Sequence, residues 1–151
     1  MANLVKKFLS DHDLKEIADA IGEQEKRTSG EIRVAVRQKR SKKEKALTAE
    51  QLARHEFVHL GMVKTKDRTG ILIFILLEAR EFFILADEHI NEKVTPETWK
   101  SVAQAMGASF AQSEFRQGLL TAIRSVGDHL ARHFPRQAGD TNELPNSVDI
   151  S

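Results

Sequence analysis

The chain has 151 residues, 40% hydrophobic and 30% charged, with no cysteine and no tyrosine. That is the length of one domain able to bury a core without cross-links. The missing cysteine excludes disulfides, thiolate zinc sites, iron–sulfur clusters and a cysteine nucleophile. Twenty-three basic and 22 acidic residues leave a net charge of +1, which does not mark the whole chain as a nucleic-acid binder.

In chain order, the opening stretch has no apolar run long enough for a signal peptide. Ser10 then caps a helix whose apolar face is Leu14, Ile17, Ala18 and Ile21, with Asp13 in its first turn. Gly30 closes it. Glu31–Arg37 alternates, with Ile32, Val34 and Val36 against polar or small residues, and predicts a strand with one buried face. Residues 37–45, RQKRSKKEK, hold six basic groups and one acid. They have no apolar periodicity and read as a loop with nothing to anchor it to a core.

Thr48 with Gln51 three residues on is a capping-box pattern. It opens a helix with Leu52, Ala53, Phe57 and Leu60 inward, stopped by Gly61. Residues 71–77 are apolar without interruption, which fits a strand covered on both faces. Phe82–Asp87 follows after a short polar break, so the two strands form an antiparallel hairpin. The longest apolar run, Ile71–Leu77, is far short of the ~20 residues of a membrane helix. Thr95-Pro96 opens a helix with Trp99, Val102, Ala103, Met106 and Phe110 inward. A last helix from about Ser113 to His133 buries Phe115, Leu119, Ile123, Val126 and Leu130, and Pro135 ends it. Residues 136–151 read as a polar tail, mobile at least in part.

The order α-β-α-β-β-α-α predicts an α/β fold: a three-layer α/β/α sandwich. Its small mixed sheet has three to four strands, the first two parallel and the third antiparallel. We assign 1–135 to the domain and 136–151 to the tail, in a soluble, cytoplasmic protein.

His55-Glu56-Phe57-Val58-His59 fits H-E-x-x-H, in which two helical histidines share zinc and the glutamate acts on its water. We discount zinc here. A catalytic zinc needs a third protein ligand. The extended motif would place glycine at 62 and histidine at 65, where Met62 and Thr65 stand. Glu78, Glu81 or His89 would serve only by accident of folding, and Glu56 falls within the apolar arc of its helix. The basic run at 37–45 is able to meet phosphate but lacks interleaved aromatics for stacking on bases. An anion-binding adaptor working through Lys39, Arg40, Lys42 and Lys43 is the least favoured reading.

The acidic residues are placed more informatively. With parallel first and second strands, Glu31 and Asp67 lie at their N-terminal ends, and the hairpin returns Asp87 and Glu88 to the same rim. Four convergent carboxylates need a cation, and an all-oxygen set suits calcium or magnesium. The competing account is that each caps a turn or a helix. No phosphate-binding glycine loop and no hydrolase nucleophile motif is present.

Several segments resemble the TPM domain family in matching order: Thr28-Ser29-Gly30-Glu31, Thr65 through Phe74, Ile84-Leu85-Ala86-Asp87 with Ile90-Asn91, Phe115 through Leu119, and His133-Phe134-Pro135. The likeness spans about residues 8–135, and Asn142-Glu143-Leu144-Pro145 resembles the stand-alone bacterial branch. The family includes thylakoid acid-phosphatase-like proteins, a photosystem II repair factor and a receptor-modulating membrane protein. The resemblance implies an α/β/α sandwich, and for some members weak phosphatase activity and calcium binding. This chain departs from the branch at Ala86-Asp87-Glu88-His89, where a glycine-rich turn is expected. The expected function is a TPM-like interaction or assembly module that binds a divalent cation at Asp67, Asp87, Glu31 and Glu88. A weak metal-dependent phosphatase is the alternative.

Overall fold

The structure is a computed structural model and describes residues 4–151. The first three residues of the stretch read for a leader, and of the domain as assigned from the sequence, lie outside it. The elements run α1 (Leu4–Phe8), α2 (Asp11–Glu25), β1 (Glu31–Arg37), α3 (Ala49–His59), β2 (Gly70–Leu76), β3 (Glu81–Ala86), α4 (Glu88–Asn91), α5 (Pro96–Ala111), α6 (Phe115–His133) and β4 (Asp149–Ile150).

The sheet order is β3-β2-β1-β4. β1 pairs parallel with β2 and β4, and β2 pairs antiparallel with β3. The uninterrupted apolar run of β2 divides by parity. Ile71, Ile73 and Ile75 enter one core with Ile17, Ile21, Trp99, Met106 and Ile123. Leu72, Phe74 and Leu76 enter a second with Leu52, Ala53, Phe57 and Met62. Period-2 side chains on a strand covered on both faces require two separate cores, so the sandwich has α1, α2, α5 and α6 on one face and α3 on the other.

The local signals act as their chemistry dictates. The Ser10 hydroxyl accepts from Asp13 N–H while Asp13 accepts from Ser10 N–H, and Thr48 and Gln51 do the same. Gly61 follows α3 at φ +74, a left-handed position that glycine fills without Cβ strain. Thr95 stands before α5 without a side-chain bond to its backbone, and Pro96 takes the first helical position.

Two regions differ from expectation. The basic loop is anchored by charge: Arg37 forks onto Glu44 at 2.6 and 3.1 Å, and Arg40 reaches Glu81 at 2.7 Å. The Arg37 guanidinium holds the Glu44 carboxyl down at about 2. The tail contacts the body at several points. Glu143 and Leu144 N–H both donate to Glu31 Oε1 at 2.7 Å. Asp149–Ile150 forms β4, with Ser151 bonded to Val36 and Gln38. Short strands with one apolar side chain leave no periodicity to read.

Candidate functional site: an open sheet edge between two helices

The two edges of the sheet are treated differently. On β1 the main-chain groups of even-numbered residues face outward. Ile32 N–H donates to Glu25 Oε2 at 2.9 Å, and Val36 and Gln38 bond Ser151. That side of β1 is covered by β4 and by the Glu25 carboxylate. On β3, Asp87 N–H donates to Gly70 O at 2.9 Å. Antiparallel alternation then directs Leu85, Phe83 and Glu81 to β2 and turns Phe82, Ile84 and Ala86 outward. Only Ala86 O finds a partner among the described residues, Asn91 Nδ2 at 3.0 Å. The Phe82 and Ile84 main-chain groups have no partner among the described residues.

This free edge floors the larger cavity, about 720 Å³, walled by α3 (Glu50, Arg54) and α5 (Trp99, Lys100, Ala103, Gln104, Gly107). Small residues on α5 let it lie close: a Cβ on Gly107 would meet the Phe82 ring at 3.3 Å. Phe82 in turn packs edge-on against Phe110, 4.4 Å between centroids. A second cavity of about 280 Å³ shares Arg54, Leu85, Ala86 and Asn91 with the first and extends the groove to Val58, Arg68 and Asp87.

Charge along the groove is uneven. Arg54 pairs with Glu50 at 2.8 Å and Lys100 lies 3.7 Å from Glu97. Arg80 has φ +53 and Arg68 φ +54, left-handed backbone where a non-glycine side chain costs roughly 1–2 kcal/mol. Both line the groove, one at each end.

At the acidic rim, Asp87 is buried and takes Arg68 Nε and Nη2, both at 2.8 Å. It also caps α4 through Glu88 N–H at 2.7 Å. Glu88 is exposed, 3.6 Å from Arg68. Asp67 is exposed in the turn before Arg68, and its carbonyl oxygen lies 3.0 Å from His89 Nδ1. Glu31 is buried under the tail. It pairs with Gly70, itself bonded to Asp87, so Glu31 and Asp87 stand two strand spacings apart, roughly 9–10 Å. A Cβ on Gly70 would meet Met62 Cε at 3.3 Å and Phe57 Cζ at 3.8 Å. As placed, the four carboxylates are not a ligand set for one cation. Among the described residues the one group of three side chains close enough to share an ion is His12, Asp13 and Glu16. There Arg116 already forks onto Glu16, and Asp13 is spent in its cap.

Burial pushes the Glu31 carboxyl up to about 7, against the two N–H donors from the tail. Glu25, beside it, is pushed up to about 7 for the same reason. His55 and His59 are exposed, while Glu56 turns inward with a buried Oε2 and a raised pKa from burial.

The segments that carry the family resemblance hold one another. Thr28 Oγ1 and Ser29 N–H both donate to Phe134 O, and Thr69 Oγ1 donates to Ser29 O at 3.4 Å. The groove residues escaped the sequence reading because Trp99 and Ala103 look like core positions. The readable signal was that a hairpin's second strand falls at the sheet edge, with Ala103, Gly107 and Ala111 spaced along one facing helix.

A helix-covered mixed sheet with this connectivity is the TPM architecture. The TPM domain family model matches residues 4–129, and the chain belongs to that family. BA42 protein from the psychrophilic bacterium Bizionia argentinensis has a similar structure, with TM-score 0.86 and 34% identity over 99% of this chain and 100% of that one. The N-terminal domain of a protein from P. gingivalis shares the fold alone, with TM-score 0.68 and 14% identity over 84% of this chain and 79% of that one. No curated protein matches the chain. Among the described residues no helix is long and apolar enough to cross a membrane.

Proposed function

We propose that this TPM domain is a protein-binding module and that the groove along β3 is its binding surface. One observation carries the reading: the unpaired edge of β3 forms the floor of the larger of the two cavities, between α3 and α5. Pockets that combine apolar walls with a few convergent polar groups are the usual binding sites. The test is a selection of random displayed peptides against the full chain, followed by amide NMR with the best binder. The expected shifts fall on residues 82–86 and 99–107. Binders that shift other surfaces instead, or none from a diverse library, remove the reading.

The cation reading at Asp67, Asp87, Glu31 and Glu88 is a second proposal, favoured by the exposure of Asp67 and Glu88 beside Asp87. It requires Arg68 to leave Asp87 and the tail to release Glu31. Saturable calcium or magnesium shifts at 67, 87 and 88, lost in Asp67→Asn plus Asp87→Asn, are its expected result. Unchanged shifts in that variant would sink it, and with it a phosphatase that depends on the ion.

A further inference from the structure

We infer that the groove takes an extended, acidic segment of a partner protein as a fifth strand, paired with the main chain of Phe82 and Ile84. This rests on the groove being the binding surface and adds the mode and the chemistry of the occupant.

The mode follows from the hydrogen-bond inventory. Phe82 and Ile84 each present an outward N–H and C=O, spaced two residues apart, as an added strand requires. Asn91 holds Ala86 O at 3.0 Å, so pairing ends there. Exposed edges are normally blunted by proline, bulges, charge or a covering segment. β3 carries charge only at its first residue, Glu81, and its other five residues, Phe82 to Ala86, are apolar. The fold already extends the other side of its sheet with an added segment: Val148 packs on the core, Asp149 and Ile150 pair with β1, and that segment reads apolar, acidic, apolar.

The chemistry follows from charge. Arg54, Arg80 and Lys100 line the larger cavity against one acid, Glu50. Arg54 holds Glu50, and Lys100 lies 3.7 Å from Glu97 outside the lining, which leaves Arg80 as the cation with no acid beside it. Arg80 has no ion-pair partner among the described residues and keeps a left-handed backbone that glycine would adopt at lower cost. Such an outlier points to a use for its side chain. Arg40, bonded to Glu81, ties the lysine-rich loop to the same end. Basic walls above an apolar floor select acidic side chains at alternate positions.

A second copy of this chain is the poorer occupant. Its own β3 lies recessed between its own α3 and α5, so the walls of two copies meet before their edges do.

The test uses the peptide selected above, resynthesised with N-methyl groups on one or the other set of alternate residues. Fifth-strand pairing predicts that one set abolishes binding and the other leaves it within about twofold. It predicts at least about tenfold slower hydrogen exchange at Phe82 and Ile84 in the complex. It further predicts acidic residues in the selected consensus and about tenfold weaker binding to Lys100→Glu with Arg80→Gln. Binding that shifts groove amides but tolerates both methylated sets overturns strand pairing and leaves the groove standing. A neutral or basic consensus overturns the acidic partner. Protection of Phe82 and Ile84 that appears without peptide as concentration rises, with dimers in sedimentation, makes the occupant a second copy and overturns the inference.

Discussion

Glu25 and Glu31 are buried carboxyls one helix end apart, and each is pushed from 4.5 up to about 7 by that burial. The folded protein keeps protons that the unfolded chain releases above 4.5. Their contribution to stability is therefore complete below about pH 4.5 and is lost as the pH rises through 7. Glu25→Gln keeps an oxygen for Ile32 N–H and removes the charge. It is expected to match wild type near pH 5 and to exceed it at pH 8 by up to about 3 kcal/mol, since each tenfold change in proton affinity on folding is worth roughly 1.4 kcal/mol. Urea unfolding at the two pH values reads this directly, and an equal difference at both would show that ionisation is not involved. Arg80→Gly makes the opposite trade. It is expected to raise stability by about 1 kcal/mol by relieving a left-handed arginine, while weakening acidic peptides. Thermal unfolding and peptide titration of the same variant separate the two effects. At this scale the sequence was only partly readable. Ser10, Thr48 and Gly61 announce themselves because capping and left-handed turns depend on neighbours a few residues away. Glu31 does not, because the groups that bury it come from residues 143 and 144.

Elements with strong local periodicity were legible in order, type and pairing: β1, the uninterrupted β2, and the stripes of α3, α5 and α6. The alternation of β1, read as one buried face, misled, because Glu31, Arg33 and Ala35 on its other face are buried as well. The two-residue strand β4 was not, since its place depends on β1 having an open edge rather than on its own pattern. That dependence gives a prediction. Removing residues 143–151 uncovers the β1 edge and Glu31 together, so stability is expected to fall by about 2–4 kcal/mol from lost apolar burial and edge hydrogen bonds. The Glu31 carboxyl is expected to drop back toward its ordinary range as solvent reaches it. Carboxyl-carbon NMR across a pH titration checks the second point, and an unchanged Glu31 titration would mean that the tail is not what buries it. The four acids at the rim illustrate the same limit. Strand order places Glu31 and Asp87 at one end of the sheet, but whether carboxylates meet depends on what fills the intervening strand. Here Gly70 stands between them with Met62 and Phe57 packed beside it, and Arg68 claims Asp87.

Across the whole molecule, near-neutral net charge conceals an asymmetry. The basic loop is tied by Arg40 to Glu81 at the start of β3. The sheet is asymmetric in the same sense, with the outer side of β1 covered by the chain's own tail and by Glu25 and the outer side of β3 left open between α3 and α5. That contrast is the basis for reading the domain as a binding module, and it is testable in the free protein. The decisive measurement is residue-resolved amide hydrogen exchange along β3 at low protein concentration. The account predicts slow exchange at Phe83 and Leu85, which bond to β2, and exchange at least about tenfold faster at Phe82 and Ile84. Uniform protection across all four amides would contradict it, because the edge would then already be paired.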